Sequence, residues 1–231
     1  MKVRAIIQAR MGSSRLRGKT LSPVLGIPLL KRVHSVVLNL NLTDDILIAT
    51  SNLEEDDPIE AYAESFLNCK YVRGSSENVL SRFIKGCDNM NDDDTIIRIT
   101  ADNLFYQKDI CHQLLVKHEK FKYDYSGIEG LSHMVCELIR VGALKSLKNQ
   151  PLNNYEKEHV TPHFINNPKK YRLNLVNAND FGLQKDLSSL LTIDTEQDRD
   201  RVENLLISFQ KKNMHFTLKN IYNWLINNKE K

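Results

Sequence analysis

Between residues 2 and 121 the chain alternates four times between a short β-branched apolar run and a longer amphipathic one. The short runs are "KVRAIIQA", "DDILIATS", "CKYVRG" and "DTIIRITA". Each is short and apolar enough for a strand buried in a sheet. The longer runs are "PLLKRVHSVVLNL", "DPIEAYAESFL", "SSENVLSRFIKGCDNM" and "QKDICHQLLVKHEKF", with apolar residues at helical spacing. Pro28, the acids of the second run and the Ser–acid start of the third suit a first helical turn. This order predicts βαβ units and a mostly parallel sheet, hence an α/β, three-layer Rossmann-like fold. The 231 residues, 41% hydrophobic and 26% charged, suffice for one well-buried domain.

Past residue 130 the pattern is less regular. "HMVCELIRV", "YRLNLVNA" and "LSSLLTID" read as strands, giving a mostly parallel sheet with a small inserted β-layer. "NNYEKEHVTPHFINNP" reads as two short helices, because Pro162 lies inside it. "TEQDRDRVENLLISFQKK" is an amphipathic helix capped by Thr195. "TLKNIYNWLINN" is a last helix, whose stripe of Leu218, Ile221, Trp224 and Leu225 reads as core or dimer packing. No Gly/Pro-rich linker divides the chain, so residues 1–231 read as one domain with halves 1–130 and 131–231.

Several function classes are excluded early. A net charge of +3 gives no case for nucleic acid. No stretch approaches a membrane span, and the three-residue apolar run near the N-terminus is too short for a signal peptide. The expected compartment is the cytoplasm. Cys69, Cys87, Cys111 and Cys136 include no C-x-x-C pair and read as buried thiols.

The first strand runs into "QARMGSSRLRGKT", where Arg10, Arg15, Arg17 and Lys19 crowd together. Like charges this close repel, and such a loop is suited to meeting an anion. Gly12 and Ser13 free backbone N–H groups, Ser14 adds a hydroxyl, and arginine offers two-pronged bonds to phosphate oxygens. The ending Gly18-Lys19-Thr20 suggests a P-loop, but five residues rather than four lie between Gly12 and Gly18. A P-loop also needs a helix starting at its lysine. Pro23, Gly26 and Pro28 follow instead, and an interior proline costs a helix ~3 kcal/mol and a glycine ~1 kcal/mol. P-loop kinase chemistry is therefore excluded, and the first helix is expected to begin at Pro28.

Asp102 follows "TIIRITA" and Asp194 follows "LSSLLTI". Both are expected at strand carboxyl ends, the edge that also receives the basic loop and where open α/β sheets bind ligands. Each has a plainer reading. Asp102 suits an ordinary turn, and Asp194 suits the approach to the Thr195 cap, which spacing alone favours. His159 and His163 invite zinc, but Pro162 interrupts the helix and no third ligand is evident. "NDDDT" at 91–95 reads as a solvated turn.

Taken in order, several blocks resemble the sugar cytidylyltransferases. "IIQARMGSSRLRGKTL" resembles the loop A-R-x-x-S-x-R-x-P-G-K-x-L, "VRGSSENVLSRF" resembles R-G-S-x-x-D-V-L-x-R-F, and "IIRITADN" resembles R-x-T-G-D-x-P. "EKEHVTPHFINNPKKYRL" is similar to an E-H-V-T-P segment, and "LLTIDTEQDRDRVENL" to V-D-T-x-E-D. "PLLKRV" and "DDILIATS…DDPI" also fit, so the resemblance covers nearly the whole chain. It fits best the spore-coat polysaccharide biosynthesis branch, related to the 3-deoxy-manno-octulosonate and acylneuraminate enzymes. Four positions depart from the pattern: Arg17 and Leu104 stand where proline is usual, Ala101 for glycine, and Asn78 for aspartate.

The resemblance implies a nucleotide-diphospho-sugar transferase type of fold and transfer of CMP from CTP to a sugar acid or sugar phosphate. Residues 1–130 become the nucleotide-binding half. Residues 131–231 become the acceptor-binding half, which also supplies a second metal ligand. Arg10, Arg15 and Lys19 would grip the triphosphate, with Gly12, Ser13, Ser14 and Gly18 shaping the loop. Gln8 and Ala9 would face the base, Arg73 and Ser75 the nucleotide, and Asp102 and Asp194 would hold Mg²⁺. Arg73 also suits a salt bridge, and Ser75 a helix cap. Glu158 and His159 would shape the acceptor side. Relatives are often dimers, so a homodimer is expected. Two other readings are a glycosyltransferase using a nucleotide-sugar and a non-catalytic nucleotide-binding subunit.

Overall fold

A computed structural model of the chain describes residues 1–131, 133–182 and 187–228. The first half follows the alternation. Strand β1 (Val3–Gln8) leads through a ribbon, β2 (Pro23–Val24) and β3 (Ile27–Pro28), into α1 (Leu29–Leu40). Then come β4 (Ile46–Ser51), α2 (Asp57–Tyr62), β5 (Lys70–Gly74), α3 (Val79–Lys85), β6 (Thr95–Thr100) and α4 (Lys108–Phe121). The second half contains β7 (Tyr125–Glu129), β8 (Glu137–Arg140), α5 (Val141–Ser146), α6 (Asn154–His159) and α7 (Pro162–Asn166). It continues with β9 (Leu173–Asn177), α8 (Glu196–Lys211) and α9 (Leu218–Asn227).

Seven strands form one sheet in the order β5-β4-β1-β6-β8-β7-β9. Only β8 runs against its neighbours. Successive residues on a strand face opposite sides, and both sides here are covered. Ala5, Ile7, Ile48, Ile97 and Ile99 pack on one side against α1, α4, α8 and α9. Ile6, Leu47, Ile96 and Ile139 pack on the other against Leu80, Phe83, Leu144 and Phe164 of α3, α5 and α7. Each such aliphatic side chain, taken out of water, stabilises by roughly 1.5–3 kcal/mol. The four cysteines are buried free thiols, as their spacing implies. No described helix is long and apolar enough to cross a membrane.

The second half departs from the expected layering. Its strands join the main sheet, and the separate small sheet is the β2–β3 ribbon beside the basic loop. That ribbon turns at Leu25 and Gly26, both in the left-handed region, and its prolines sit at ribbon ends where no ladder N–H is needed. "LSSLLTID" is not a strand. Ser188–Leu191 forms a 3-10 turn, and Thr192 makes a single bridge to Asn103. Strand β6, which it would have to join, is already flanked by β1 and β8. Strand β7 has no clear sequence signal because Ser126 and Gly127 break its apolar run.

Helix starts are mostly as expected. Helix α1 starts behind Pro28, Thr195 caps α8 with Asp198 in a reciprocal box, and Thr217 caps α9. For α3 the cap is Asn78, whose side chain accepts from the Ser81 N–H at 3.0 Å. The preceding serines do not cap it.

Candidate active site

After β1 the basic loop winds into consecutive turns. Met11 O accepts from the N–H groups of Ser13 (2.8 Å) and Gly18 (2.9 Å), and Thr20 Oγ1 donates to Arg10 O at 2.6 Å. Gly18 has φ +73°, where any β-carbon is strained. Buried Asp56, ahead of α2, accepts from the Met11 N–H at 2.6 Å and so anchors the loop from beneath. Lys19 stands in this loop and not on a helix, which fits the exclusion of a P-loop.

Lys19 is the hub of the site. Its Nζ donates to Asp102 Oδ2 (3.1 Å), Asp194 Oδ1 (2.8 Å) and Ile193 O (3.0 Å), bringing together residues 83 and 175 positions away. Arg15 Nη2 pairs with Asp194 Oδ2 at 3.0 Å. Asp102 lies two residues past the end of β6. Asp194 reaches the same edge from a turn, held there because Ile193 N–H donates to Asp102 O at 2.9 Å. Thr195 caps α8, the plainer reading of the pair, and the Asp194 side chain faces Lys19 from a turn rather than from a strand end. Burial pushes the Asp102 carboxyl up, but the Lys19 charge and the Thr100 hydroxyl outweigh it and keep it below its usual range. Two carboxylates and a carbonyl aimed at one cation are a hard-oxygen set, the kind that suits a divalent metal sharing phosphate oxygens.

Around this hub opens a cleft of about 600 Å³. Among the expected residues, Gln8, Ala9, Arg10, Ser13, Ser14, Arg15, Lys19, Asp102 and Asp194 line it. Gly12 backs onto Glu55 and Gly18 turns the loop, both behind the lining. Arg73 and Ser75 lie outside it. Arg73 pairs with Asp57 and Glu60, each at 2.7 Å, and donates through Nε to Ser51 O at 2.8 Å. Ser75 Oγ accepts from the Asn78 N–H at 3.1 Å. The plainer salt-bridge reading therefore describes Arg73, and a local turn describes Ser75. Glu158 meets Arg10 at 3.2 Å across the cleft mouth, and His159 packs on Tyr155 with ring centres 4.3 Å apart. His163 is engaged by Glu156 at 2.9 Å rather than paired with His159.

Sequence reasoning missed the floor. Every second residue along a strand shares a sheet face, so Gln8, Arg98, Thr100 and Glu137 lie on the same side as Ile6, Ile96 and Ile139. The apolar half of that face packs, and the polar half underlies the cleft. Arg98 and Glu137 are direct cross-strand partners and form an ion pair. Glu137 also accepts from the Tyr125 hydroxyl (2.6 Å) and the Thr161 hydroxyl (2.8 Å), and Arg98 Nη2 donates to Gln8 Oε1 at 3.1 Å. A charged residue inside an apolar strand, as in "TIIRIT", was the available signal.

Burial disfavours the Glu137 anion, but the Arg98 charge and the two hydroxyls more than offset it, so its carboxyl lies below the ordinary glutamate value. The stabilisation is therefore present above the unfolded glutamate's pKa and is lost as pH falls through the lower folded one. Glu137→Ala should cost about 3 kcal/mol by leaving Arg98 unpaired. Urea unfolding at neutral and acid pH checks this, with the gap to wild type expected to shrink in acid.

"NDDDT" lies at the opposite end of β6. Asp94 is buried and accepts from the N–H groups of Lys2 (2.7 Å) and Asn91 (2.8 Å), a structural clasp rather than a solvated turn. Asp92 and Asp93 pair with Lys145 and Arg140.

The chain is thus a Rossmann-like α/β protein whose sheet carries a cation-rich loop and two aspartates at one edge. The chain belongs to the cytidylyltransferase family, whose model matches residues 4–223; it is a nucleotidyltransferase. It is 34% identical over 208 residues to the spore coat polysaccharide biosynthesis protein SpsF of Bacillus subtilis, covering 87% of this chain and 84% of that one. Its fold is similar to a cytidylyltransferase from Leptospira borgpetersenii (TM-score 0.80, 22% identity, 99% and 95% of the two chains). It is also similar to a CMP:2-keto-3-deoxy-manno-octonic acid synthetase complexed with CTP (TM-score 0.67, 16% identity, 90% and 99%).

The departures from the family pattern are absorbed locally. Leu104 is buried in the core, Ala101 is buried but also lines the cleft beside Asp102, and Asn78 caps α3. Arg17 is exposed, touches Glu55 only at 3.5 Å, and its backbone N–H donates to no described residue. A proline there removes no hydrogen bond, so Arg17→Pro should leave the melting temperature and CTP affinity near wild type. Calorimetry on that variant checks the point.

Proposed function

We propose that this chain transfers CMP from CTP to a sugar acid or sugar phosphate, with release of pyrophosphate, in surface polysaccharide assembly. The observation that carries this is the convergence of Lys19, Asp102 and Asp194 beneath a basic loop at the sheet's carboxyl edge. Arg10, Arg15 and Lys19 would exchange their carboxylate partners for triphosphate oxygens, fixing the α-phosphorus for in-line attack and neutralising the leaving pyrophosphate. Mg²⁺ held by Asp102 and Asp194 would draw charge from the α-phosphate and the attacking oxygen.

Arginine only donates, so Gln8 must turn its oxygen toward Arg98. The Gln8 amide N–H₂ is thereby left to meet a base carbonyl. Arg98, Glu137, Thr161 and the Tyr155–His159 pair would border the acceptor. A glycosyltransferase reading loses support because the acidic run lies at the opposite strand end. A non-catalytic reading loses support because both carboxylates and the lysine are in place. The test is incubation with CTP, Mg²⁺ and a panel of sugar acids and sugar phosphates. Release of pyrophosphate with a CMP conjugate is expected. Silence throughout, with no CTP binding by calorimetry, would remove the proposal.

A further inference from the structure

Arg82, on α3, is 1% exposed, yet it contributes to the cleft wall. Its Nε and Nη1 have no hydrogen-bond partner among the described residues. Buried donors are almost always paired, and an uncompensated buried charge is more costly still. The carboxylate whose field it feels, Asp56, already uses Oδ1 on the Met11 N–H and Oδ2 on the Ser51 N–H and hydroxyl. Its other charged neighbour is Arg10, a second cation. Burial, with Arg10 adding to it and Asp56 opposing, pushes the Arg82 guanidinium down to about 10.

The local fold makes room for this side chain. A β-carbon on Gly74, at the end of β5, would lie 2.9 Å from Arg82 Cγ, so the glycine lets the arginine cross the strand end. The other arginines of the cleft differ: Arg10, Arg15 and Arg98 each have a carboxylate partner. Two guanidinium groups that line one cleft and feel each other's charge, one of them buried with unused donors, call for an oxyanion more than for a neutral group.

We propose that Arg82 binds an oxyanion of the ligand together with Arg10, taking a phosphate or carboxylate oxygen at the inner wall of the cleft. This rests on the transferase reading above. The anion comes either from the nucleotide's phosphates or from the acid group of the acceptor.

The test compares wild type with Arg82→Met and Arg82→Lys. Melting temperature is measured on the free proteins, and binding of pyrophosphate, CTP and cytidine by calorimetry. KM is measured for whichever sugar acid or sugar phosphate is turned over. Removing an unpaired buried charge should raise the melting temperature of free Arg82→Met by a few degrees. Losing a charge-assisted bond should weaken oxyanion binding by about tenfold or more, with Lys recovering part of it. If the anion is the nucleotide's, CTP and pyrophosphate weaken while cytidine does not. If it is the acceptor's, those three are unchanged and the acceptor KM rises instead.

Gly74→Ala displaces the side chain without removing its charge and should weaken the same ligand. A melting temperature at or below wild type with all constants unchanged would overturn the proposal. Equal weakening of cytidine and CTP would do so too. Wild type failing to bind CTP would count against the transferase reading, and the pyrophosphate titration would still judge Arg82.

Discussion

Replacing Lys19 by Ala is expected to abolish nucleotidyl transfer and to destabilise the free protein by about 3 kcal/mol, the low end for breaking a buried charge cluster. Lys19 satisfies Asp102, Asp194 and the Ile193 carbonyl at once, and its side chain is only 13% exposed. Without it, two carboxylates face each other across the vacated position. Asp102 loses the charge that keeps its carboxyl below the usual range. In the wild type that depressed carboxyl adds stability above the unfolded aspartate's pKa, lost as pH falls through the folded value. In the variant that contribution shrinks or reverses, so stability near neutral pH suffers most. A divalent cation can take the ammonium's place between the carboxylates. Mg²⁺ should therefore raise the urea midpoint of Lys19→Ala more than that of wild type. Equal midpoints for the two proteins without metal would show that the cluster carries no stability.

Asp102→Asn and Asp194→Asn are expected to lower kcat by about 10²–10³-fold each, the scale seen when a group stabilising developing charge is removed. CTP binding without metal should be unchanged or tighter, because a neutral amide no longer opposes the triphosphate beside Lys19 and Arg15. The double variant should cost little more than either single one, since both carboxylates serve one ion. Single-turnover kinetics with calorimetry separate the two effects. A change confined to KM would mean that these aspartates only help to bind substrate.

What the sequence revealed about this site follows from how local each signal is. The loop with Arg10, Arg15 and Lys19 was legible because like charges were concentrated in a few residues after an apolar strand. Asp102 was legible from its place at a strand end. Asp194 was placed at the right edge for a partly wrong reason. "LSSLLTI" has the composition of a buried strand, and only the crowding of β6 by β1 and β8 shows that it must be a turn. Arg73 was assigned to the nucleotide only through the resemblance, and the salt bridge that it also suits is the one formed, with Asp57 and Glu60. The Arg98–Glu137 pair depends on an antiparallel register between residues 39 apart, which no local pattern encodes. Arg82 lay within a quoted motif, and its unused donors became visible only from the packing of α3 against Gly74.

On the proposed function, nucleotidyl transfer takes place where Asp102 and Asp194 converge on Lys19. Anomalous scattering from Mn²⁺ in crystals soaked with CTP tests it most directly. The expected result is a peak bonded to both carboxylates and to an α-phosphate oxygen, with Lys19 turned to the phosphates and the base beside Gln8 and Ala9. Bound CTP with its Mn²⁺ away from both aspartates would place the chemistry elsewhere and remove their assigned role.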